Sequence, residues 1–69
     1  MHVDQFHINH ENSEDTFDST DNLQDAIRIA REVVKKGQIG DPVSIEYKGK
    51  NIRQFVLMPG GEVTEQVLA

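Results

Sequence analysis

Few residues in this chain are of a type and spacing that could do chemistry, and the N-terminal histidines come first among them. His2, His7 and His10 stand close together beside Asp4 and Glu11, the one grouping with metal-ligand side chains. Zinc asks for at least three ligands converging at about 2.0–2.2 Å. On an extended segment His2 and His10 point to one side and His7 to the other, so the spacing opposes convergence, and solvated histidines at a strand edge are the better account. No metal is expected.

Nucleophilic and acid–base chemistry fare similarly. Ser13, Ser19 and Ser44 sit in no strained turn, and none has a histidine at a recognisable spacing. Ser19 reads instead as a helix cap. Glu14, Asp15 and Asp18 could pair as acid and base only in a dry pocket that separates their pKa values, which a polar loop does not supply. Gly60 and Gly61 precede a strand, not a helix, and no lysine follows them at phosphate-loop spacing, so they read as a turn. With no cysteine there is neither a disulfide framework nor a thiolate site. The chain is therefore expected to be no enzyme and to need no cofactor.

Seven basic residues remain as candidates for contact with phosphate. Arg28, Arg31 and Lys35 share a helical flank, and Lys48, Lys50 and Arg53 fall on a hairpin, so together they could form a basic patch. The charge balance opposes that reading. Residues 1–25 carry seven acids and no lysine or arginine, residues 26–69 carry seven bases against five acids, and the total is −5. A nucleic-acid binder usually shows the reverse. Phe6, Phe17, Tyr47 and Phe55 are also few for stacking on bases.

The elements that position these groups follow from periodicity. Between Ser19 and Gly37, Leu23, Ala26, Ile27, Ala30, Val33 and Val34 recur on one helical face, and only Ile29 departs from the pattern. Asp18-Ser19-Thr20-Asp21 supplies the start, Lys35 and Lys36 suit the carbonyl end, and a left-handed Gly37 closes the helix. The period then changes to two. Val43, Ile45 and Tyr47 form one strand, Ile52 to Met58 a second and Glu62 to Leu68 a third, joined at Lys48-Gly49-Lys50-Asn51 and Pro59-Gly60-Gly61. A strand near residues 4–10 precedes the helix. Glu11 to Asp15 reads as a mobile polar loop, and Thr16-Phe17 either returns as a short partner strand or anchors Phe17 near the helix start.

The expected fold is a single α+β domain over residues 1–69: one amphipathic helix packed on a four-stranded antiparallel sheet, in the order strand, helix, three-stranded meander. At 69 residues a second domain is excluded, and a roomy substrate cavity would consume the core. No apolar run approaches the ~20 residues of a membrane span, and Met1-His2-Val3-Asp4 is not a signal start, so no membrane contact and a cytoplasmic location are expected.

Residues Val33 to Pro59 carry one family likeness. A helix end, a glycine, Asp41-Pro42-Val43-Ser44-Ile45, then Gly49-Lys50 and Phe55-Val56-Leu57-Met58-Pro59 resemble the core hairpin of the Phd/YefM antitoxins. That resemblance implies a dimer on operator DNA with a toxin-binding tail. The chain departs from it in its acidic N-terminal segment and in continuing after Pro59 as a strand.

Turns of two or four residues pair odd positions with even ones on the next strand. Val43, Ile45 and Tyr47 would then share a face with Ile52, Val56 and Met58, and with Val63 and Val67, beneath the helix. Phe55, Leu57 and Leu68 are left on the opposite face beside Arg53. That face, or a sheet edge, is the expected interaction surface. The function expected is a non-catalytic binding module whose partner is another protein or its own copy as a weak homodimer; the alternative is a small nucleic-acid-binding regulator.

Overall fold

The computed structural model describes residues 5–10 and 16–68. The expected loop from Glu11 to Asp15, and His2 with Asp4, lie outside the described residues. The elements are β1 (Phe6–His10), β2 (Thr16–Thr20), α1 (Leu23–Lys36), β3 (Val43–Tyr47), β4 (Lys50–Leu57) and β5 (Val63–Val67). All neighbouring strands are antiparallel, in the order β2-β1-β3-β4-β5. The sheet has five strands, not four, because Thr16 to Thr20 returns along β1.

That return decides the helix start. Ser19 and Thr20 are drawn into pairing with His7 and Phe6, so the cap falls one residue beyond the Asp18–Asp21 cluster. Asn22 is extended and its Oδ1 accepts the amides of Gln24 at 2.8 Å and Asp25 at 3.2 Å. At the other end Gly37 has φ −87°, not a left-handed value, and its N–H donates to the Val34 carbonyl at 3.2 Å. Left-handed backbone occurs instead at Lys48 (φ 52°) and Gly49 (φ 79°), the two-residue turn between β3 and β4.

The helix lies across one face of the sheet. Ala26, Ala30 and Val34, four residues apart, are buried against Ile8, Val43, Ile45 and Phe55. Ile27, Val33 and Ile29 pack around this cluster, so the residue outside the helical pattern is also used. Phe6 stacks on Tyr47 at 4.3 Å between ring centroids and prolongs the core towards the turn.

Two departures from simple hairpin pairing decide which residues of β4 the helix covers. Tyr47 pairs with Lys50 and Glu46 with Asn51, as a two-residue turn requires, but Ile45 pairs with Arg53. Ile52 is therefore an extra, bulged residue, and beyond it the parity reverses. Val43 faces Phe55, and Phe55 is fully buried under α1. Leu57 follows on the same side, half-buried against the core. Val56 and Met58, expected beneath the helix, lie on the opposite parity. The second connection runs from Leu57 to Val63 through five residues, which pairs odd with odd and returns Val63 and Val67 to the helix side. The two departures cancel for β5 and not for β4.

The patch expected from Phe55, Leu57, Arg53 and Leu68 is therefore not one face. Phe55 is core, Leu57 packs against it, and Arg53 lies on the helix side. Only Leu68, 43% exposed, keeps the opposite parity. Burying a side chain of this size stabilises by about 1.5–3 kcal/mol, so the structure spends Phe55 on its own core.

Candidate interaction surfaces

Three surfaces carry functional groups: the uncovered sheet face, the basic residues, and the two sheet edges. On the uncovered face one cross-strand row runs Ser19, His7, Glu46, Asn51 and the next runs Asn9, Ser44, Gln54, Gln66. No lysine or arginine stands at a described strand position on this face, and Glu46 is its single carboxylate. Ser44 in the middle is only 2% exposed, enclosed by Asn9 and Gln54 on the adjoining strands.

This face holds a pair that sequence spacing did not reveal. His7 Nδ1 and Ser19 Oγ are 2.8 Å apart. The signal was available only through the β1–β2 pairing, which sets positions twelve residues apart side by side. An imidazole beside a hydroxyl is the beginning of a nucleophilic pair, but an attacking serine also needs amides aimed at the developing oxyanion. The Ser19 amide donates to Asp18 Oδ1 at 2.8 Å, which occupies that donor. The pair ties β2 to β1. His10, of opposite parity, lies on the helix side and lines an open hollow of ≈ 330 Å³ with Val33, Lys36 and Gly37. Among the described residues no group of three metal-ligating side chains occurs.

The basic residues are not brought together. Lys48 stands in the β3–β4 turn and Lys50 directly follows it, level with Phe6 and Thr20 where the helix begins. Lys35 and Lys36 are at its other end, near His10. The 14-residue helix separates them by about 20 Å at 1.5 Å per residue. Arg28 is exposed and 3.7 Å from Asp25. Arg31 reaches across to β5, where its Nη2 meets Glu65 Oε1 at 2.8 Å and its guanidinium lies 5.8 Å from the Phe55 ring centre. Arg53 approaches the other oxygen, Glu65 Oε2, at 3.7 Å and donates from Nη1 to the Ile52 carbonyl at 3.0 Å. Two of the expected phosphate-binding groups are thus committed to one carboxylate.

The sheet edges differ. β2 carries a register break opposite Ile8 and Asn9, and its Ser19 amide is taken by its neighbour's carboxylate. Bulges and inward-turned charges are usual protections of an edge. β5 has neither. Its register with β4 is unbroken from Val63 to Val67, and it contains no lysine or proline. The hydrogen bonds from Leu68 N–H to the Ile52 carbonyl and from Met58 N–H to the Glu62 carbonyl fix which positions bond to β4. Narrow pairs alternate, so Thr64 and Gln66 bond inward, while Val63, Glu65 and Val67 direct their N–H and C=O groups away from the sheet. Val67 and Leu68, among the large apolar residues left exposed, are 64% and 43% accessible at the end of this strand.

No helix among the described residues is long and apolar enough to cross a membrane. No family model, curated protein or solved structure matches the chain.

Proposed function

We propose that this chain is a non-catalytic interaction module that recognises another polypeptide by strand addition at the free edge of β5. The supporting observation is the asymmetry of the edges: β2 is closed by a bulge and by Asp18, whereas β5 offers an unbroken row of outward backbone groups at Val63, Glu65 and Val67. Main-chain hydrogen bonds supply affinity in this mode, and alternate side chains supply selectivity. The commitment of the Ser19 amide to Asp18 favours binding over catalysis on the uncovered face.

A synthetic peptide of residues 62–68 is a direct probe. Its titration should shift the amide resonances of Val63, Glu65 and Val67 before those of the uncovered face. Shifts centred on Ser44 and Gln54, or none at millimolar peptide, would reject the edge. The alternative, a nucleic-acid-binding regulator, is disfavoured by the separation of Lys48 and Lys50 from Lys35 and by the engagement of Arg31 and Arg53 with Glu65. Affinity for random duplex DNA that falls steeply with salt would restore it.

A further inference from the structure

We infer that the strand received by β5 is β5 of a second copy, paired antiparallel with Glu65 on a twofold axis normal to the sheet, giving one continuous ten-stranded sheet. The inference rests on the strand-addition reading above and names its partner.

The backbone selects the register. A twofold pairing keeps both helices on one side of the joined sheet and requires facing residues of equal parity. With Glu65 opposite Glu65 of the second copy, Val63 faces Val67 in both directions, and all six outward groups of Val63, Glu65 and Val67 find partners. Sliding by two residues either way leaves only Glu65 and one valine of each strand paired with each other, which drops the six bonds to four. The centred register also places the 64%-exposed Val67 against Val63 on the helix side, and Thr64 against Gln66 on the other.

The objection is the meeting of two carboxylates, since like charges directly opposed across strands are unfavourable. The structure already answers it. Each Glu65 is held by Arg31 at 2.8 Å and flanked by Arg53 at 3.7 Å, so the axis gathers two carboxylates and four guanidinium groups. This local excess of positive charge sits within a chain of net charge −5. The closed β2 edge then limits growth. A free edge at one side and a protected edge at the other make a closed dimer, where two free edges would give an open fibre.

Sedimentation of the intact chain from low micromolar to near-millimolar concentration should show monomer passing to dimer. Val67→Pro removes one outward N–H and none of the β4 ladder, and should leave a folded monomer. Arg31→Ala should weaken the dimer about tenfold by uncovering the facing carboxylates, and Arg31→Ala with Glu65→Gln should recover most of that loss. A wild-type chain that stays monomeric while the 62–68 peptide still binds the β5 edge would overturn the dimer and leave the strand-addition reading standing. A dimer unaffected by Val67→Pro would place the interface elsewhere. If Val67→Pro fails to fold, amide exchange of the wild type decides: protection at Val63, Glu65 and Val67 that rises with concentration supports the pairing, and fast, concentration-independent exchange rejects it.

Discussion

Phe55→Ala is the sharpest test of the bulge at Ile52, because the expected and observed registers give opposite outcomes at that position. On an uncovered face the substitution would cost little, within about 0.5 kcal/mol. In the structure Phe55 is fully buried among Ile8, Ile45, Val43 and the helix residues Ala26, Ala30 and Val34. Removing the ring loses a transfer contribution of about 1.5–3 kcal/mol and leaves a cavity, together about 3–5 kcal/mol. Those helix neighbours are mostly alanines, whose short side chains cannot reach into the space, so the upper half of that range is expected. A chain of this length has a total stability of roughly 3.5–10 kcal/mol at about 0.05–0.15 kcal/mol per residue. The variant should therefore lose from about two-fifths to all of its stability. Urea denaturation followed by circular dichroism measures this against Val56→Ala, the neighbour of opposite parity, which should lose under about 1.5 kcal/mol. A Phe55→Ala loss below about 1 kcal/mol, or a larger loss at Val56, would refute the bulge and return β4 to the simple parity.

Substitutions at three further positions probe the ends of the helix and the β3–β4 turn. Asn22→Ala should lose about 1 kcal/mol and Asn22→Gly only a few tenths, since glycine keeps the extended cap backbone; equal losses in thermal melts would contradict a cap. Gly49→Ala should cost about 1–2 kcal/mol, because φ is 79° there. Gly37→Ala should be near neutral or stabilise by up to about 1 kcal/mol, with φ −87° and no atom nearer than 3.6 Å to the added methyl. A reversal of that order would restore Gly37 as the left-handed helix stop.

Elements whose signal is local were legible from the residues alone. The spacing of Leu23, Ala26, Ile27, Ala30, Val33 and Val34 specifies a helix wherever it packs, and the alternation of Val43, Ile45 and Tyr47 specifies a half-buried strand. Their order, and hence the α+β class, followed. Partnership between strands was another matter. Ser19 and Thr20 are acceptable caps in isolation, and only the proximity of His7 and Phe6 makes them a strand and delivers the His7–Ser19 hydrogen bond. Ile52 carries no local mark of a bulge; its extra position is set by the requirement that Phe55, larger than Val56, fill the space under three small helix residues. The candidate surface changed for the same reason. Side-chain type pointed to a leftover apolar face, but face membership has a period of two, and one inserted residue moves every later side chain across the sheet. What stays exposed is then the backbone of β5, and backbone groups are common to all sequences, so only the assembled order of strands could show which of them are free.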